Sequence, residues 1–108
     1  MTQSVDLAQA LSTLNQPWQP LTVAVLNDYD VRVVKVLGEF TRHSHPETDE
    51  FFLVLEGELV IEVEGSGTVR LGPHQGYTVP KGVAHKTSAP TRTVVVMVEP
   101  AGVSPTGD

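Results

Sequence analysis

Over residues 21–99 the chain is a succession of short runs of branched and aromatic residues, each closed by Gly, Pro or an Asn-Asp pair. That punctuation constrains the fold more than any other feature. Branched and aromatic side chains suit a pleated, half-buried surface. Runs of this length at this spacing indicate an all-β sandwich or barrel. The segments expected are 22–26, 31–37, 39–45, 50–55, 58–64, 68–71, 77–79, 84–87 and 93–99. Those at 50–55 and 58–64 read as a hairpin around Glu56-Gly57. Ahead of them, Leu7, Leu11 and Leu14 recur at helical spacing and predict a helix over 4–14, capped by Ser4, with Asp6 in its first turn. Pro17 and Pro20 then impose an extended or turning segment. Trp18 between them reads as a packing anchor rather than a ligand contact, since a buried Trp is mostly structural. The organisation expected is a helix and connector over 1–20, one barrel over 21–100 and a loose tail over 101–108.

Parity along the segments assigns faces. If Glu50 points inward, so do Phe52 and Val54, and Phe51, Leu53 and Leu55 form an outer stripe. A stripe of three large apolar side chains calls for a cover. A second subunit supplies it in the favoured reading, a homodimer; the N-terminal helix or the Trp18 segment is the alternative. In 58–64, Leu59, Ile61 and Val63 point to the core, and Glu58, Glu62 and Glu64 form a solvated outer face.

Composition narrows the function. A chain of 108 residues with 40% apolar and 19% charged residues suits one packed domain. A net charge of −6, with only seven scattered basic residues, argues against a nucleic-acid partner. The absence of cysteine excludes disulfides, thiolate sites and cysteine nucleophiles, and fits a cytoplasmic setting. No apolar run approaches the roughly 20 residues that cross a bilayer, so no membrane partner is expected. No secretory signal is apparent.

The chemistry-bearing pattern is His43-Ser-His45, then Glu50, then His85 inside Pro80-Lys-Gly-Val-Ala-His85. On a strand, His43 and His45 share a face. Imidazole and carboxylate together suit Fe, Mn, Ni, Cu or Zn better than Ca or Mg. The alternative is a polar pore without metal, which leaves several buried polar groups needing partners at about 1–3 kcal/mol each. Metal is favoured.

These motifs resemble those of the cupin superfamily. Its first motif, G-x5-H-x-H-x3-4-E-x6-G, is matched by His43, His45, Glu50 and Gly57, with Gly38 one residue too close. Its second, G-x5-P-x-G-x2-H-x3-N, is matched by Pro80, Gly82 and His85, while His74 and Ala89 stand at the glycine and asparagine positions. The flanking segments are similar to small single-domain cupins of the mannose-6-phosphate-isomerase-like kind. The resemblance implies a double-stranded β-helix, a jelly-roll barrel, with a divalent transition metal on His43, His45, Glu50 and His85. Four protein ligands leave one or two positions for Lewis-acid work on a carbonyl, or for dioxygen or water. Glu50 is the candidate catalytic base, since it can bind metal or swing off to take a proton. Thr41, Phe52, Val54, Tyr77 and Thr87 are the expected pocket residues, with Tyr77 uncertain in direction. His74, beside Gly72 and Pro73, reads as an exposed turn residue.

Three functions compete. The first is a metal-dependent enzyme on a small organic molecule, either dioxygenase-like or an isomerase or lyase. The second is a non-catalytic small-molecule-binding or sensor module. The third and weakest is a sugar-phosphate isomerase, which needs cations at the pocket; Lys81 and Lys86 flank His85.

Overall fold

The computed structural model describes residues 4–103. One short helix, α1 (Leu7–Ser12), precedes seven strands: β1 (Leu21–Leu26), β2 (Tyr29–Glu39), β3 (Glu50–Glu56), β4 (Leu59–Val63), β5 (Gly67–Leu71), β6 (Gly76–Val79) and β7 (His85–Pro100). The helix is shorter than the 4–14 expected. Its cap is Asp6, whose carboxylate accepts from the Gln9 N–H at 3.1 Å, so Asp6 takes the role expected of Ser4. It packs chiefly against β1 and β2, not over the β3 stripe.

All the strand pairs are antiparallel, and they run in the order β1-β2-β7-β3-β6, with β4 joining β7 and β5 joining β4. The result is a double-stranded β-helix, a small jelly-roll barrel. Two expectations differ. Segments 84–87 and 93–99 are one sixteen-residue strand, β7. Its first part pairs with β4 and its second with β3, so a single strand turns the barrel corner. Segment 39–45 is not a strand of its own: β2 ends at Glu39, and His43 makes only an isolated bridge to His85. A loop here frees the His43 and His45 side chains from a flat pleat.

The parity reading holds on β3, where Glu50, Phe52 and Val54 are buried and Phe51, Leu53 and Leu55 half-buried. The core is the inward set of both walls, with Val34, Val36, Val54, Leu59, Ile61, Val63 and Val95 at its centre. On the outside, Phe51 pairs with Val98 and Leu53 with Val96, an apolar row that continues to Val31 and Val33 of β2. Gly57 makes the β3–β4 turn at φ +89°. A Cβ there would collide with Thr93 and the Arg92 carbonyl, so only glycine fits. Val103 is buried, and the Ala101 N–H bonds the Asp28 carbonyl at 2.9 Å. The rest of the expected tail lies outside the described residues.

Candidate metal centre

The His43 and His85 loops are fastened to each other before any side chain is considered. The two residues exchange backbone hydrogen bonds at 3.0 and 2.9 Å, and the Gly82 N–H bonds the His45 carbonyl at 2.8 Å. The Lys81 N–H bonds Asp49 Oδ1 at 2.9 Å, so Asp49 ties the loop after His45 to the Pro80–His85 turn. Glu50 enters from the start of β3 and His85 from the start of β7. The structure therefore brings together His43, His45, Glu50 and His85. One ligand atom from each lies within 4.8 Å of all the others, a group that can hold a metal ion.

Three of the four are buried and His43 is half-buried, so the cluster sits at an opening. His43 Nδ1 lies 2.8 Å from the Thr41 carbonyl and His85 Nδ1 lies 3.0 Å from the Val83 carbonyl. A carbonyl only accepts, so Nδ1 carries the hydrogen and Nε2 is turned toward the cluster. His85 Nε2 is 3.1 Å from Glu50 Oε1, and His45 Nε2 is 3.5 Å from Glu50 Oε2. Without a cation, a proton bridges His85 and Glu50. Burial lowers the proton affinity of His85, but the hydrogen bond and charge of Glu50 outweigh it and raise its pKa. Burial likewise raises Glu50, yet hydrogen bonds from His85 and Glu99, and the histidine charges, hold its carboxyl below the usual value. Burial pulls His43 down. A metal needs neutral imidazoles and an ionised carboxylate: the lowered His43 and Glu50 favour those states, and at His85 a cation would take the place of the proton shared with Glu50. The donor set thus fits a divalent transition metal.

A cavity of about 40 Å³ opens beside the cluster, walled largely by apolar side chains. Of the five expected pocket residues, Phe52 and Thr87 line it. Thr41 is exposed and contributes its carbonyl to His43 instead. Val54 is fully buried in the core, one pleat further along β3. Tyr77 pairs with Phe52 on β6 and packs against the core cluster away from the cavity.

Among the wall residues not assigned to the pocket from sequence, two stand out. Trp18 packs as an anchor, stacked on Phe40 at 4.9 Å with its indole N–H on the Leu37 carbonyl at 2.9 Å, but it also lines the cavity. Its φ of +67° is unusual for so large a residue, and its N–H is held by the Lys35 carbonyl at 2.8 Å. The second is Glu99. The register that pairs Phe51 with Val98 sets Glu50 beside Glu99 one residue on. Glu99 is 2% exposed and bonds Arg32 at 3.1 Å, with Asp30 on the other side of that guanidinium. Burial, then the hydrogen bond and charge of Glu50, push its carboxyl up to about 8. The parity that turns Val95 and Met97 inward was the available signal for it.

The cupin domain model matches residues 31–99. The uncharacterized protein YdbB of Bacillus subtilis strain 168 is 33% identical over 92% of this chain and 88% of its own length. A cupin-2 domain containing protein from Shewanella frigidimarina superposes with TM-score 0.85 and 38% identity, covering 89% of this chain and 93% of the other. Hydroquinone 1,2-dioxygenase PnpCD, solved with Cd²⁺ and 4-hydroxybenzonitrile, shares the fold at TM-score 0.78 and 18% identity, over 96% of this chain and 75% of that one. With the barrel, both motifs and a matched relative in agreement, this chain belongs to the cupin family.

Proposed function

We propose that this cupin is a metal-dependent enzyme acting on a small organic molecule. His43, His45, Glu50 and His85 are the proposed ligands of one Fe, Mn, Ni, Cu or Zn ion. The observation that carries the reading is the convergence of four ligand atoms within 4.8 Å beside an apolar cavity. A bound metal of this kind supplies Lewis acidity or redox chemistry at the opening. The chain's own part is to orient the imidazoles through Thr41 and Val83, to exclude water with Phe52 and Val36, and to hold a proton at Glu50 when it is off the metal. Dioxygenase-like chemistry is the first to test, with isomerase or lyase chemistry beside it. The likeness to the hydroquinone dioxygenase is one of fold and sets no substrate.

The alternative is a binding or sensor module, favoured by a cavity that has few polar groups. The sugar-phosphate reading loses support. Among the described residues no Lys or Arg side chain lines the cavity, and Lys86 is engaged by Glu39 at 2.6 Å. We place the protein in the cytoplasm, and as a homodimer joined through the Phe51, Leu53, Val96 and Val98 face. No described helix is long and apolar enough to cross a membrane. Light scattering that gives a one-chain mass at every concentration removes the dimer.

The test is turnover. Metal-loaded protein is assayed for dioxygen uptake and product formation against phenols, flavonols and diketones, beside Glu50→Gln. Turnover that depends on Glu50 supports the enzyme. Saturable binding with no chemistry in either protein favours the module.

A further inference from the structure

Two threonines of β7 are buried, and their hydroxyls differ. Thr93 Oγ1 lies 3.0 Å from both the N–H and the carbonyl of Glu58 and 2.9 Å from the Thr91 carbonyl, so it is fully used in the β3–β4 turn. Thr87 is 4% exposed, yet its hydroxyl makes no hydrogen bond to any described residue. Its backbone is committed: it pairs with Ile61 of β4, and its carbonyl takes the Phe40 N–H at 2.9 Å. The hydroxyl oxygen is not sealed inside the wall. It keeps accessible surface, and the open space that Thr87 lines is the cavity.

Strand parity sets this hydroxyl beside the cluster. Thr87 follows His85 by two residues on β7, so both side chains leave the same face, about 7 Å apart along the strand. The other polar side chains of the wall are already engaged. His43 and Glu50 belong to the metal group, and Glu99 is held by Arg32 and closed off from the cavity. The rest of the wall is apolar. Packing alone would be served by valine, which has the shape of threonine, and buried polar groups rarely stay unpaired. The space, about 40 Å³, is far below the roughly 150 Å³ that encloses a benzene ring, so it admits a slim group. A neutral hydroxyl compensates a neutral oxygen but not a buried charge.

We propose, resting on the metal-dependent reading above, that Thr87 is a specificity-determining residue whose hydroxyl pairs with the uncharged carbonyl or hydroxyl oxygen of a small ligand with a slim apolar end. A threonine hydroxyl donates to a carbonyl, and both donates to and accepts from an alcohol. The ligand class is therefore neutral carbonyl compounds and alcohols.

2-Pentanone and pentane share a carbon chain and differ in the oxygen. Both are titrated into Zn²⁺-loaded and chelated protein, with affinity read from the methyl NMR signals of Val36, Met97 and Thr87. In wild type, 2-pentanone is expected to bind saturably and to move the Thr87 methyl signal. Thr87→Val, which keeps the shape and deletes the hydroxyl, is expected to weaken 2-pentanone about fivefold to tenfold and to leave pentane within about twofold. Thr87→Ser is expected to restore the wild-type preference. A Thr87 methyl signal that 2-pentanone does not move overturns the proposal, whether or not the variants fold. So does an equal change for both ligands in Thr87→Val, the result if the hydroxyl serves only a water molecule or the packing. Metal content is measured separately: a metal-free wild type removes the metal reading, while the Thr87 effect in chelated protein still decides this one.

Discussion

Two sets of glutamates sit on this barrel and meet opposite fates. Glu58, Glu62 and Glu64 flank or belong to β4 and face solvent; Glu62 has a side chain 49% exposed and rests 3.5 Å from the equally exposed Arg42. Glu50 and Glu99 sit on β3 and β7 at 3% and 2% exposure, facing each other inside. The residue type is the same and so is the strand pleat. Parity alone decides which becomes a solubilising surface group and which a reactive one. An exposed pair such as Glu62–Arg42 contributes little, about 0–1 kcal/mol. A buried carboxylate without partners is costly, so the inward pair exists only because His45, His85 and Arg32 converge on it.

The contrast can be broken most forcibly at Glu50. Glu50→Ala is expected to weaken metal binding at least about 1000-fold, roughly 4 kcal/mol, while Glu62→Ala leaves it unchanged. Competition against a chelator of known affinity measures both, and equal affinities would dissolve the distinction. Next in size is the turn that separates the two faces. Gly57→Ala is expected to cost about 3 kcal/mol, through positive φ and collision with Thr93. Chemical denaturation reads it, and a loss under about 1 kcal/mol would mean that the turn adapts.

Glu99 gives the pH dependence. Its folded pKa, about 8, stands above the ordinary 4.5, so the fold binds its proton more tightly than the unfolded chain does. That stability is present at low pH and is lost as pH rises toward 8. His85, also raised, adds to the loss above its ordinary value of 6.5. His43 and Glu50 are lowered, so their contributions disappear instead as pH falls below 6.5 and 4.5. Between pH 6.5 and 8 the first two dominate, with Arg32, Asp30 and Glu50 as the charges facing Glu99. Chelated protein should lose about 2 kcal/mol across that window, and Glu99→Gln should shrink the loss. A melting temperature that is flat, or that rises with pH, contradicts the inward assignment. Smallest of all, Glu62→Gln is expected to change stability by less than about 0.5 kcal/mol at any pH.

Much of this site was legible in the sequence because a metal centre needs particular residue types at particular spacings. His43, His45, Glu50 and His85 could be picked out along with the loop glycine Gly82, and the alternation of β3 followed from parity. The loss of a separate strand at 39–45 could not be read, because a bridge between His43 and His85 depends on a partner forty-two residues away in the chain. The union of 84–87 with 93–99 was hidden by Pro90, which in most settings ends a strand but here sits at a barrel corner. The pocket wall was the least legible part. Trp18 and Phe40 meet only after β2 is in place, and Val54 and Tyr77 share the inward face with Phe52 yet lie a step away from the opening. The helix was expected to start at a Ser4 cap with Asp6 inside its first turn; it starts two residues later, with Asp6 itself as the cap.

The central claim is that His43, His45, Glu50 and His85 form one metal site. Elemental analysis of protein prepared without an affinity tag, alongside the triple variant His43→Ala/His45→Ala/His85→Ala, tests it most directly. The account predicts close to one equivalent of a transition metal per chain in wild type and none in the variant. Equal metal content in the two proteins, or none in wild type after incubation with divalent salts, would contradict it.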